Sequence, residues 1–118
     1  MPHVTLRAAF AALTVGLLAG GAHAASPDKG KVAFLKNGCF ECHGTVGQGS
    51  VQTSGGKVLY DTKLPLEAFI AFVRGTNRGM PPYSEKVPSD ADLADIHAYL
   101  ESLPKPADYK TIPLLNQQ

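Results

Sequence analysis

The 118-residue sequence predicts an all-α domain with three main helices joined by irregular loops. Three segments carry apolar residues at helical spacing, and each begins at a residue that favours a helix start. Alternating strands rich in Val, Ile and Tyr are not visible. We therefore expect helices packed against one another, with the loops between them wrapped around one site.

Residues 1–24 are typical of a secretory signal. Arg7 precedes a short apolar run, and Ala22-His23-Ala24 supplies a small-residue cleavage pattern. An uncleaved membrane anchor is the alternative, but the run is shorter than the ~20 residues of a spanning helix and ends in two glycines. We expect cleavage after Ala24, which leaves residues 25–118 as one small exported domain with no membrane span.

The first helix is expected from Pro27 to about Asn37. Ser26 is a capping residue, proline is favoured at the first helical position, and Gly38 ends the helix. Gly30, inside the helix, costs about 1 kcal/mol relative to alanine. A close crossing with another helix at Gly30 would explain this cost.

Two more helices are predicted in the second half of the chain. One is opened by Pro65 and closed by Gly75, with an apolar face at i, i+3, i+4 and i+7. The other runs from about Asp90 to Ser102 behind a capping box of Ser89 and Asp92. Beyond it, residues 105–118 form a proline-interrupted tail with more apolar content than a free tail should expose.

The first helix leads into Cys39-Phe40-Glu41-Cys42-His43, the C-x-x-C-H pattern of covalent haem attachment. The thiols of Cys39 and Cys42 can each form a thioether to the porphyrin, and His43 can supply a nitrogen to the iron. A zinc site would need further ligands, a thioredoxin-like redox pair would need a βαβ pattern, and a disulfide this short would stabilise little. The motif predicts one covalent haem c.

The sixth iron position decides between electron transfer and ligand chemistry. Met80 is the only methionine after the signal, and it lies in a proline-stiffened loop. His97 is the only histidine besides His43 in residues 25–118. We expect Met80 as the ligand, with His97 or an open position as alternatives; an open position would indicate a gas-binding or peroxidatic haem protein.

With these motifs the chain resembles the class I single-haem cytochrome c family over nearly all of residues 27–104. The matching positions are Gly30 and Phe34, Cys39 to Gly44, Arg74, Met80-Pro81, and Ile96 with Tyr99. The resemblance implies a cytochrome c fold in residues 25–104. It also implies that the first and last helices cross at Gly30, packed by Phe34, Ile96 and Tyr99.

The resemblance further implies roles in the haem pocket for two residues. Arg74 would pair with a haem propionate, and Leu59 would contact the haem. There is one departure from the family pattern, because Gly56-Lys57-Val58-Leu59 stands where many relatives have Gly-Pro-x-Leu. A lysine carbonyl can accept a hydrogen bond from His43 as a proline carbonyl does, but without the rigidity of proline.

These observations predict a periplasmic one-electron carrier that is not an enzyme by itself. The chain is also similar to small periplasmic cytochromes that serve dehydrogenases, so a dedicated electron-accepting subunit is the alternative. Redox proteins are the expected partners: a dehydrogenase as donor, and an oxidase or another cytochrome as acceptor. Residues 25–86 carry a charge of +3 and residues 87–118 a charge of −3. This balance does not suggest nucleic-acid binding.

Overall fold

The computed structural model describes residues 24–50, 56–60 and 62–116. They form four α-helices, followed by two 3-10 turns: α1 (Pro27–Lys36), α2 (Cys39–His43), α3 (Leu66–Gly75), α4 (Asp90–Ser102), and the turns Tyr109–Thr111 and Pro113–Leu115. Within the described ranges there is no β-strand, only an isolated bridge between Ser84 and Val87. The predicted all-α fold with three main helices is confirmed, and α2 adds one short helix at the cysteine motif.

Almost all of the predicted signal, residues 1–23, lies outside the described residues. Cleavage after Ala24 and the division into a domain and a tail therefore stay predictions. Among the helices that the structure describes, none combines the length and the apolar content needed to cross a membrane.

The predicted helix starts are formed by the expected side chains. The Ser26 hydroxyl accepts a hydrogen bond from the backbone N–H of Lys29 at 3.4 Å. At the start of α4, the Ser89 hydroxyl accepts from the N–H of Asp92 at 3.1 Å, and the Asp92 carboxylate accepts from the N–H of Ser89 at 3.0 Å. This capping box fixes where α4 begins.

Helices α1 and α4 cross in close contact at Gly30. A Cβ atom at Gly30 would lie only 1.9 Å from the backbone oxygen of Asp95, so no larger residue fits without moving a helix. Beside this contact the Phe34 and Tyr99 rings lie 5.7 Å apart between centroids, and the Ser26 N–H donates to the Asp95 carboxylate at 2.7 Å. The predicted crossing is confirmed.

The apolar core lies between α1, α3 and α4. Its most deeply buried side chains come from α1 and α4: Phe34, Leu93, Ile96 and Leu100. Phe69 and Val73 of α3 complete it, while Leu59, Met80 and Tyr83 of the loops pack against it and stay half-buried. The core therefore has an open side, which the loops border.

The tail folds onto itself rather than onto the helices. Its two 3-10 turns contact each other and none of the four helices. The Asn116 side chain donates to the carbonyl oxygens of Tyr109 at 3.2 Å and of Ile112 at 3.3 Å. Tyr109 stays 60% exposed and Leu114 80% exposed, so this part of the chain presents apolar side chains to solvent.

Candidate haem site

The C-x-x-C-H motif folds as one helical turn, α2, between two glycines. Gly38 and Gly44 both have a φ of 72°, in the left-handed region that side-chain-bearing residues rarely adopt. Glycine at these two positions lets the chain turn sharply into and out of the motif. One helical turn brings Cys39, Cys42 and His43 to neighbouring positions, as attachment to one porphyrin edge requires.

The surroundings of the two motif cysteines differ. Cys39 is half-buried, whereas Cys42 is exposed. Burial raises the pKa of the Cys39 thiol, and hydrogen bonds only partly offset this effect, so Cys39 is neutral near pH 7 until it is consumed by attachment. Among the described residues, no group of three or more His, Cys, Asp or Glu side chains could hold a metal ion by itself.

The open side of the core is a narrow cleft of about 100 Å³, partly open to solvent. Its walls are almost wholly apolar and come from every part of the fold: Phe34, Cys39, His43, Leu59, Thr62, Leu64, Phe69, Phe72, Val73, Met80, Tyr83, Pro88, Leu93, Ile96 and Leu100. The cleft contains the first motif cysteine, the motif histidine and Met80, the predicted sixth ligand. An apolar cleft that holds one histidine nitrogen and one methionine sulfur able to bind iron fits a haem.

A backbone carbonyl orients the His43 imidazole. The Nδ1 atom of His43 lies 2.8 Å from the carbonyl oxygen of Lys57. Since a carbonyl can only accept, Nδ1 carries the proton in this bond and Nε2 keeps its lone pair free to bind a metal. The Lys57 carbonyl thus makes the contact that proline makes in the family pattern.

Gly56 explains how the Lys57 carbonyl reaches the histidine. A Cβ at Gly56 would lie 1.5 Å from the carbonyl oxygen of Cys42, so the backbone of residues 56–57 runs directly against the motif helix. On either side the loop is tied down, because the Gly49 N–H donates to the His43 carbonyl at 2.8 Å and the Leu59 N–H donates to the Gly47 carbonyl at 2.7 Å. Leu59, predicted as a haem contact, lies in the cleft wall.

Met80 lies in a loop whose two ends are tied to the last turn of α3. At one end the Thr76 N–H donates to the Phe72 carbonyl at 2.9 Å, and at the other the Tyr83 N–H donates to the Val73 carbonyl at 3.1 Å. Only residues 77–82 lie between these two bonds, and two of them are prolines. The loop is therefore short and stiff, which limits the positions that the Met80 sulfur can take.

Arg74 is not part of the cleft wall. Its guanidinium donates to the carbonyl oxygens of Ser84 and Pro88, the latter at 2.8 Å, and to the Asp90 carboxylate at 2.6 Å. Its Nε is buried and has no hydrogen-bond partner among the described residues. The same holds for the Thr76 hydroxyl. The propionate pairing stays a prediction, and Nε is the donor that remains for it.

His97, the alternative sixth ligand, is buried in α4 outside the cleft wall. Its Nε2 lies 2.7 Å from the Leu64 carbonyl oxygen, its Nδ1 lies 3.4 Å from the Glu101 carboxylate, and its ring lies 5.3 Å from that of Phe69. Its Nε2 is thus committed to the Leu64 carbonyl, and its Nδ1 faces the Glu101 carboxylate.

Tyr83 is the residue of the site that the sequence analysis missed. It lines the cleft, and its hydroxyl donates to the Asn37 carbonyl at 3.0 Å, which joins the Met80 loop to the end of α1. Burial raises the pKa of Tyr83, so the hydroxyl keeps its proton at neutral pH. An aromatic residue three positions after the methionine was the available signal.

Comparison with known proteins agrees with this geometry. No curated protein and no solved structure matches the chain significantly. The family model described as cytochrome c oxidase, cbb3-type, subunit III matches residues 25–100, which include the cysteine motif, Met80 and most of α4. This family consists of c-type cytochromes, which transfer electrons through a covalent haem c. The chain therefore belongs to the cbb3-type cytochrome c oxidase subunit III family of class I c-type cytochromes, and its cofactor is haem c.

Proposed function

We propose that the protein is an exported, periplasmic one-electron carrier in which His43 and Met80 are the two axial ligands of the haem iron. The observation that carries the proposal is the His43–Lys57 hydrogen bond, which leaves Nε2 free, together with the place of Met80 in the same apolar cleft. When bound, the haem supplies an iron that gains or loses one electron. The chain's own residues fill both axial positions and keep water and small ligands away from the metal.

Replacing the methionine tests the ligand assignment. Met80→Ala should abolish the near-infrared sulfur-to-iron band and let the reduced protein bind carbon monoxide readily, because the sixth position is then open. His97→Ala is the matched control, since it removes the other candidate ligand and should leave the band in place. A wild-type protein that lacks the band and already binds carbon monoxide rapidly would favour the gas-binding hypothesis instead.

Intact mass tests attachment and export together. The protein isolated from its native compartment should lack residues 1–24 and carry one haem that survives acid and organic extraction. Cys42→Ser should leave a single thioether, while a change at exposed Val46 should leave both. A haem that is extracted from the wild type would contradict attachment, and an unshortened chain would contradict cleavage after Ala24.

A second cleft carries exposed lysines that support docking by charge. It encloses about 590 Å³ between α1 and the loop that precedes α4. Three lysines and three aspartates line it: Lys29, Lys36, Lys86, Asp28, Asp92 and Asp95. The Asp92 and Asp95 carboxylates accept hydrogen bonds from backbone N–H groups, whereas the three lysines are exposed and form no ion pair with any residue that the structure describes. Val32 and Val87 contribute apolar side chains that are 65% and 62% exposed. The exposed lysines favour brief contact with acidic partners.

Small redox reagents test this surface without a known partner. Oxidation of the reduced protein by anionic ferricyanide should slow as salt rises, whereas a cationic cobalt(III) complex should show the opposite trend. Lys36→Gln should lower the ferricyanide rate at low salt by about twofold to tenfold. Lys31→Gln removes an equal charge from α1 outside the cleft and should have a smaller effect; equal effects would show that only net charge matters.

The exposed tail favours the alternative of a fixed subunit. Tyr109 and Leu114 face solvent, and the tail turns touch none of the four helices. In a dedicated subunit these side chains would be buried against a dehydrogenase. Deleting residues 105–118 should then release the protein from its partner in size-exclusion chromatography, with the haem spectrum unchanged. A complex that salt alone dissociates, and that survives the deletion, would support the diffusing carrier.

A further inference from the structure

We propose that Arg74 is a positioning residue for the Met80 ligand, which it holds in place through the segment after the loop. This inference rests on the proposed ligation of iron by Met80 and assigns to Arg74 a role beyond propionate pairing. The side chain of Arg74 is only 16% exposed, and its two terminal nitrogens contact four different groups of the chain.

The acceptors follow one another along the chain. One terminal nitrogen donates to the carbonyl oxygens of Tyr83, at 3.4 Å, and of Ser84; the other donates to the carbonyl of Pro88 and to the carboxylate of Asp90. Three of the four are backbone atoms between the Met80 loop and the first turn of α4. A planar guanidinium can bridge such a set, and an ammonium group cannot.

These contacts add to the hydrogen bonds that hold the Met80 loop in place. The backbone bonds at Thr76 and Tyr83 fix the two ends of residues 77–82 to α3, and the Tyr83 hydroxyl fixes the loop to α1. Without Arg74, the carbonyls of Tyr83 and Ser84 would lose this donor, and the end of the loop would depend on Tyr83 alone. The Met80 sulfur would then leave its position in the cleft more often.

The three variants Arg74→Lys, Asp90→Asn and Arg78→Gln separate the possible roles. Arg74→Lys keeps a positive charge and loses the forked contacts. Asp90→Asn removes the ion pair and leaves the carbonyl contacts intact. Arg78→Gln is the matched control, because Arg78 is an exposed arginine of the same loop with no hydrogen bond or ion pair to any described residue.

Carbon monoxide binding to the reduced holoprotein reports how often Met80 leaves the iron. We expect Arg74→Lys to bind carbon monoxide at least about tenfold faster than wild type, a factor that corresponds to about 1.4 kcal/mol. The near-infrared band should weaken, and the midpoint potential should fall. Asp90→Asn and Arg78→Gln should stay close to wild type in all three measurements.

Two results would overturn the inference. One is that Arg74→Lys keeps the near-infrared band and the carbon monoxide binding rate of the wild type. The other is that Arg74→Lys keeps the band but changes the pH dependence of the midpoint potential, which would indicate propionate pairing instead. If Arg74→Lys does not accumulate, Tyr83→Phe removes one anchor of the same loop and should shift carbon monoxide binding in the same direction; no shift there also overturns it. A missing band in the wild type would instead disprove Met80 ligation itself.

Discussion

The contact at Gly30 allows the energetic importance of the α1–α4 crossing to be tested with a single methyl group. In Gly30→Ala the new Cβ would lie 1.9 Å from the Asp95 carbonyl oxygen, 2.4 Å from its carbonyl carbon and 2.8 Å from the Tyr99 Cβ. Carbon contacts are favourable at about 3.5–4.0 Å, so α4 must move away by about 1.5 Å. Two of the opposing atoms belong to the backbone, so rotation of a side chain cannot relieve the clash.

The cost follows from three terms. Overpacking of this kind costs about 1–3 kcal/mol. The same movement strains the bonds from Ser26 to Asp95 and from the Tyr99 hydroxyl to the Thr45 carbonyl, each with a net value of about 1 kcal/mol. Alanine in place of glycine regains about 1 kcal/mol of helix propensity. We expect a net loss of about 2–4 kcal/mol, or at least about 10 °C in Tm for a domain of this size.

Guanidinium unfolding of the holoprotein, followed by far-ultraviolet circular dichroism, measures this loss. Gly75→Ala is the matched control, because a Cβ at Gly75 meets nothing within 4 Å. It should be as stable as wild type or slightly more stable. If the free energy of unfolding of Gly30→Ala lies within about 0.5 kcal/mol of the wild-type value, the range typical of surface substitutions, the crossing is not as tight as described.

Two further predictions concern buried polar side chains. His97→Ala should lower the free energy of unfolding by about 2–4 kcal/mol, because it opens a cavity and leaves the Leu64 carbonyl unpaired; a changed near-infrared band would contradict this purely structural role. Burial raises the pKa of Tyr99 in the folded protein. The stabilisation that results is fully present below about pH 10, the ordinary pKa of tyrosine, and is lost as the pH rises through the folded-state pKa. Unfolding midpoints measured from pH 8 to 11 should therefore fall less steeply in Tyr99→Phe than in wild type, and parallel curves would contradict the prediction.

The sequence predicted the helices well because their signals are local. Ser26, Pro65 and the Ser89–Asp92 pair each act within one helical turn, and the structure forms helices next to all three. Gly30 was informative for a different reason: a glycine inside a helix is unfavourable by itself, so it indicated a compensating contact elsewhere. The position of that contact came from the family pattern rather than from the residue.

Contacts between distant residues were harder to predict. His97 is buried because the Leu64 carbonyl, 33 positions away in the chain, accepts its hydrogen bond. Arg74 reaches acceptors 9 to 16 positions further along the chain. Neither residue type has a preferred partner that can be recognised from spacing alone.

The contact between His43 and Lys57 divides two tasks between the main chain and the side chain of one residue. The carbonyl of Lys57 orients the histidine, and any amino acid provides that carbonyl. Its side chain is exposed and takes no part in the bond. Position 57 can therefore change its charge or size, and so alter the surface next to the motif, while the support of the proposed iron ligand stays the same. Recognition of partners and orientation of His43 can then evolve separately at a single residue.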